Sequence, residues 1–256
     1  MGDKYKTTSQ DLADITDIEY QKELNKTLEE LFYCAAEILQ NTQSGTNFIL
    51  KQNGEFNAVE KRDYYRSLVP VMRLASAHID NPGIKPILGA SLYMLAELEE
   101  ENKKEKLYRG AILNLEQAIT DSGHDITEHD ILFLGLSHNG LANNTQDPPD
   151  RLTNYNESMK DLAEYMQIKK GAINHKDFFL LAKSQLDLAE FLKTHIPSYK
   201  AAIYNFQQAL ELKESSNTYY HLGIAQLGLS KKLPKGQRAK LAKEGLKNIE
   251  KGTRIE

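Results

Sequence analysis

The amino-acid sequence predicts an all-α protein of about five antiparallel helical hairpins, and three observations carry that prediction. Only 7 Pro and 15 Gly interrupt 256 residues, so long stretches lack the two residues that most disfavour helix. Apolar residues recur at helical spacing from about residue 18 almost to the end. A pattern of small and large apolar residues also returns at a near-constant step. Ser67-Leu68, Val71 and Leu74-Ala75 match Ala111-Ile112, Leu115 and Ala118-Ile119, then Ser158-Met159, Leu162 and Tyr165-Met166. Ala202-Ile203, Phe206 and Ala209-Leu210 follow, and last Gly245-Leu246, Ile249 and Gly252. The copies begin at 67, 111, 158, 202 and 245, steps of 44, 47, 44 and 43 residues.

In chain order, polar residues 1–17 read as a flexible N-terminus and residues 18–256 as one helical-repeat domain. The first helix, 18–41, contains the apolar run Leu31-Phe32-Tyr33-Cys34-Ala35-Ala36. Cys34 there reads as a buried inert thiol, because reactive cysteines need electropositive, accessible surroundings. Phe48 to Phe56 fits a small hairpin around Asn53-Gly54, whose residues tolerate positive φ, or a packed loop, which is favoured. Helix 56–79 carries Pro70, where a kink or break is expected, and stops before Asn81-Pro82-Gly83. Helices 84–101 and 104–121 follow, the second closed by Asp121-Ser122-Gly123. Thr127 and Asp130 form a capping-box pattern at the start of 127–143. Asp147-Pro148-Pro149 separates it from 150–169. Helices 175–195 and 197–213 are divided at Pro197, and 216–230 and 236–251 complete the chain.

The helices between those copies repeat as well. Leu88-Gly89, Leu134-Gly135 and Leu222-Gly223 sit in mid-helix, with Leu181-Ala182 as a fourth copy. Glycine inside a helix costs roughly 1 kcal/mol relative to alanine. Its recurrence at one phase predicts close approach of a neighbouring helix, completed by the small residues that open the second pattern. One pair cannot bury its own apolar face, so stacked neighbours must create the core.

Tyr199-Lys200-Ala201-Ala202-Ile203-Tyr204-Asn205-Phe206-Gln207-Gln208-Ala209-Leu210-Glu211-Leu212, running into Tyr219-Tyr220-His221-Leu222-Gly223-Ile224-Ala225, resembles a tetratricopeptide-repeat junction. The resemblance is good over about 198–230, fair over 104–121 and 131–140, and elsewhere rests on the period. The step exceeds the usual 34 residues, Glu214 stands where a proline commonly ends the second helix, and Gln226 stands where an aromatic is usual. The resemblance implies a right-handed superhelix, a tetratricopeptide-like α-solenoid, whose first helices line a concave groove for a peptide or protein segment. By phase, that groove presents Tyr93, His129, Asn139, Phe179, Lys183, Asn217 and Tyr220, although Phe179 and Tyr220 also suit packing between repeats. The family's clamp for acidic chaperone C-terminal tails uses an Asn after the Gly. Ala90, Leu136 and Ile224 occupy that place here, so such tails are not the expected partner.

Other chemistry is sparse. No Gly-rich phosphate loop, GxSxG elbow or HExxH occurs, and no cofactor is expected. The densest polar cluster, His124-Asp125-Ile126-Thr127-Glu128-His129-Asp130, has metal-ligating residue types. Its His124-Asp125 resembles the doublet of the all-helical HD phosphohydrolases, in which metal-bound water is the nucleophile, with Glu128 and His129 nearby. Acidic residues in a helix's first turn equally complement its dipole, and that reading is favoured. Net charge is -4, which does not suggest bulk nucleic-acid affinity. Residues 231–256 hold nine Lys/Arg and three Glu, reading as a solvated end or a surface for an acidic partner or nucleic acid. Without a membrane-length apolar run or a signal-peptide core, and with one cysteine, the chain reads as cytoplasmic. The function expected is a non-enzymatic interaction scaffold that holds a partner segment in its groove.

Overall fold

A computed structural model describes residues 57–78, 82–120, 126–193 and 195–254, with residues 22, 26, 27 and 30 upstream, which are helical. The N-terminal stretch 1–17, the remainder of helix 18–41 with Cys34, and the Phe48–Phe56 segment lie outside the described residues. So do residues 121–125. The described residues form helices and their connections, with no strand among them. In order these are α1 (Ala58–His78), α2 (Ile84–Leu98), α3 (Glu101–Thr120), α4 (Glu128–Asn144) and α5 (Pro148–Lys169). A short 3-10 turn (Lys170–Ala172) leads to α6 (His175–Leu192), α7 (Ile196–Leu212), α8 (Ser216–Ser230) and α9 (Lys235–Arg254). Each helix expected from residue 56 onward has its counterpart here.

Helix starts follow local chemistry. At α4, Thr127 Oγ1 accepts from the Asp130 N–H at 3.3 Å, while Asp130 Oδ2 accepts from the Thr127 N–H at 2.8 Å. Asn174 and Asp177 repeat the capping box at α6, where the Asn174 N–H donates to Asp177 Oδ2 at 2.7 Å. The helix break expected at Pro70 does not occur, since α1 runs through it. Proline removes one hydrogen bond and one N–H, but Pro70 is exposed, and the opposite face buries Tyr65, Leu68, Val69, Met72 and Ala75. That burial outweighs a lost bond that solvent can partly replace.

Contacts divide the chain into two compact units: residues 1–100 with 113–125, and residues 101–112 with 126–256. In the first, α1 packs on α2. Arg66 clasps the buried Glu99 carboxylate through two nitrogens, Nη2 to Oε2 at 2.8 Å. In the second, the helices pack in series, α4 on α5, α5 on α6, α6 on α7, α7 on α8 and α8 on α9, with α6 also touching α8.

Three contacts recur along that series. First, each hairpin crosses at small residues. A Cβ on Gly223 would lie 2.5 Å from the Gly245 carbonyl oxygen, and one on Gly135 would lie 3.0–3.2 Å from Leu162 and Asp161. Ala182 and Ala202, both fully buried in one cluster, hold the corresponding places in α6 and α7. Second, three residues beyond each small residue, a polar pair bridges the hairpin. Asn205 Nδ2 donates to Gln185 Oε1 and Asn248 Nδ2 to Gln226 Oε1, both at 2.8 Å, while His138 Nε2 lies 3.8 Å from Asp161 Oδ2. Third, a tyrosine three residues before the small residue of a second helix enters the next first helix. Tyr108 and Tyr199 occupy notches at Gly140 and Gly228, where a Cβ would come within 2.4 Å of the rings.

Candidate functional site

The candidate surface lies in the second unit, on one face each of α4, α6 and α8. Helical spacing puts Asn217, Tyr220, Ile224, Leu227 and Lys231 on a single stripe of α8. Asn217, Tyr220 and Lys231 are exposed, Tyr220 by 41%, while Ile224 and Leu227 are half-buried. Phe179 and Lys183 occupy the corresponding stripe of α6, with Asp187 one turn beyond Lys183, and His129, Leu132, Leu136, Asn139 and Asn143 that of α4.

Hydrogen bonds join α4 to α6. Asn139 Nδ2 donates to Ser184 Oγ at 3.2 Å, and Asn143 Nδ2 donates to Asn139 Oδ1 and to Asp187 Oδ2, each at 3.2 Å. Tyr155 OH donates to Asn143 Oδ1 at 2.7 Å, and Lys183 Nζ pairs with Asp187 Oδ1. Aromatic rings join α6 to α8. Phe179 lies 5.7 Å from Phe206 and 5.5 Å from His221, and His221 stacks at 15° to Phe206. Burial and then the Lys183 ammonium hold His221 below its ordinary basicity.

Of the seven residues expected to share a groove, the structure links Asn139 to Lys183 through Asn143 and Asp187. Phe179 and Tyr220 both meet the His221 ring, Tyr220 at 5.5 Å. Phe179 packs against the buried cluster of α6, α7 and α8, so it serves inter-helix packing. Tyr220 keeps its exposed face. His129 is half-buried and Asn217 exposed, and among the described residues no hydrogen bond or ring contact ties either to the other five. Tyr93 belongs to the first unit; it is half-buried, and burial pushes its phenol well up. Of the metal-binding alternative, His124 and Asp125 lie outside the described residues, and Glu128 and His129 sit in the first turn of α4. Among the described residues, no group of three or more His, Cys, Asp or Glu side chains is placed to hold a metal ion.

Two cavities adjoin this surface. One, of about 410 Å³, is lined by Asn143, Arg151, Tyr155, Asp187, Glu190, Phe191 and Lys193. Arg151 stacks there, 4.8 Å from the centre of the Phe191 ring. The second, of about 370 Å³, is lined by Glu190, Lys193, Tyr199, Ile224, Leu227, Gly228, Lys231 and Lys232. Its floor continues the α8 stripe. Burial and then the neighbouring Asp187 raise the Glu190 carboxyl above its ordinary range. Lys193, between the cavities, takes a left-handed conformation (φ 54°) at the end of α6.

No protein-family model and no curated protein matches the sequence. The physical reading of the residues therefore carries the assignment. That reading missed the cavity residues from the sequence, although Ile224, Leu227 and Lys231 continue the phase of Asn217 and Tyr220. It also missed the tyrosines, whose signal was present: Tyr64, Tyr108, Tyr155 and Tyr199 each stand three residues before a small residue of the repeat. No helix of the described residues is long and apolar enough to cross a membrane.

Proposed function

We propose that this protein is a cytoplasmic, tetratricopeptide-like interaction scaffold without catalysis of its own. In this reading about five elongated hairpins wind into a right-handed superhelix, and their first helices line a concave groove that holds a segment of a partner protein. What supports it is the recurrence, in hairpin after hairpin of the second unit, of the same small-residue crossing and polar pair, with tyrosine notches between hairpins. Such repetition fixes successive first helices at equivalent positions, so stripes on α4, α6 and α8 offer regularly spaced contacts to one extended or helical segment. Exposed Tyr220 supplies a rigid anchor with a polar tip, the residue type favoured at binding hot spots. The linked Asn139, Asn143, Asp187 and Lys183 supply hydrogen bonds that set its orientation.

The test begins with affinity capture and identification of the partner by mass spectrometry. Its Kd is then measured for the wild type and for the triple variant Tyr220→Ala, Lys183→Ala and His129→Ala, with helical content checked by circular dichroism. A loss of about tenfold or more, equivalent to about 1.4 kcal/mol, is expected. Unchanged affinity in a folded variant would move binding away from this face.

A further inference from the structure

The cavity at the end of α8 narrows the chemistry of the partner. Resting on the groove reading above, we infer that the segment bound there is acidic and carries a bulky apolar side chain. The apolar residue sits on Ile224 and Leu227, and flanking carboxylates meet Lys193, Lys231 and Lys232. These five residues line one cavity of about 370 Å³. Ile224 and Leu227 are only half-buried, one turn apart on α8. An apolar side chain placed there removes further surface from water at about 25 cal/mol per Å².

Three lysines and one acid, Glu190, line the cavity. The C-terminal ends of α6 and α8 each add roughly half a negative charge, which leaves the lining net positive. Arg238 strengthens the same end, its Nη2 donating to the Lys231 carbonyl at 3.3 Å. Among the described residues none of the three lysines forms an ion pair, and all three are exposed. Nucleic acid fits less well. The Tyr199 ring is 5% exposed, inserted edge-on at Gly228, so it offers no open face on which a base could stack.

The probe is a short fluorescein-labelled peptide of alternating glutamate and leucine, titrated into the full chain and followed by fluorescence anisotropy. Glutamate–serine and lysine–leucine peptides and a short oligouridine serve as comparisons. Binding of the glutamate–leucine peptide, weakened about tenfold or more when Lys193→Asn, Lys231→Glu and Lys232→Glu are combined, is the expected result. Equal binding by that variant, equal binding of the lysine–leucine peptide, or preference for oligouridine would overturn it. The captured partner separates this proposal from the groove reading. If its affinity falls in the Tyr220 triple variant but not in the lysine variant, the groove stands and the acidic site falls. If the peptide depends on the lysines while the captured partner ignores the Tyr220 variant, the acidic site stands and the groove falls.

Discussion

The α4–α5 hairpin and the α6–α7 hairpin share one backbone plan, bury apolar and polar side chains alike, and differ in the groups near the crossing: an aromatic stack in one, an imidazole–carboxamide pair in the other. Around α6, α7 and α8, Leu186, Ala189, Phe206, Leu222, Ala225 and Leu229 pack as one buried cluster, with Ser184, Asp187 and Asn205 also buried on these helices. In α4 and α5, buried Phe133, Leu134, Leu141 and Leu162 share the interior with buried Asp130, Ser137, His138, Asn154, Ser158 and Asp161. His138 Nδ1 meets Asn154 Oδ1 at 2.9 Å, and Asn154 Nδ2 in turn donates to Asp150. Ser158 reaches Ser184 of α6 at 2.9 Å, and Tyr165 OH donates to the buried Asp177 at 2.8 Å. The comparison teaches that helix approach at small residues sets the hairpin, whether an aromatic stack or a polar pair lies beside it.

The largest test of that comparison is Phe206→Ala. Phe206 is fully buried where α6, α7 and α8 meet, so its truncation should cost about 3–5 kcal/mol, the range for a buried phenylalanine. Leu162→Ala, at the matching place in α5, should cost less, about 2–3 kcal/mol, because fewer apolar atoms leave water. Urea midpoints for the two variants check this. An equal or reversed order would mean the α4–α5 hairpin depends as much on apolar filling as its neighbour.

Next come the crossings. At Gly223 an added methyl meets the backbone of Gly245 at 2.5 Å and of Ile249 at 2.9 Å, and backbone cannot rotate away. Gly223→Ala should therefore destabilise by about 1–3 kcal/mol, the cost of overpacking. At Gly135 the nearest atoms are side-chain atoms of Leu162 and Asp161, which can yield by a few tenths of an ångström. There the helix-propensity gain of roughly 1 kcal/mol should leave Gly135→Ala close to neutral. Thermal denaturation of the two variants reads the difference directly.

The crossings were legible in the sequence because a small residue inside a helix has few other reasons to recur at a fixed step. The polar pairs were not. Asn205, Asn248 and Asp161 are polar positions between apolar ones, and only their partners on another helix show why they are buried or half-buried. The departure at Gln226, where an aromatic would suit the resemblance, now has a physical reason: its amide oxygen holds Asn248. Of the candidate site, the phase of α8 was legible through Asn217 and Tyr220. The cavity beyond them was not, because its lysine wall comes from the ends of two helices that meet only in the folded chain.

The pairs themselves make the third test. Gln226→Leu leaves the Asn248 amide without its partner inside the α8–α9 hairpin, and should cost about 1–3 kcal/mol. Replacing Asn248 by Leu as well removes both polar groups and should recover most of that loss. A double-mutant cycle in urea measures the coupling. A double variant no more stable than the single one would assign the pair no special role in holding the hairpin.

The smallest effect expected is a pH dependence centred on His221. His221 contacts Phe179 of α6, Phe206 of α7 and Tyr220 of its own helix, with Lys183 and Asp187 of α6 as the nearby charges. Burial, then Lys183, lowers its pKa from the ordinary 6.5, and Asp187 only partly opposes them. The folded chain thus keeps the imidazole neutral where the unfolded chain takes up a proton. The unfolded state binds more protons below 6.5, so stability is full above that pH and declines as pH falls towards the folded-state value. His221→Phe retains the ring contacts and abolishes the titration. Melting temperatures from about pH 7 to about pH 5 should then fall more steeply for the wild type than for His221→Phe. Parallel curves for wild type and His221→Phe would show that protonation at the junction is accommodated without cost.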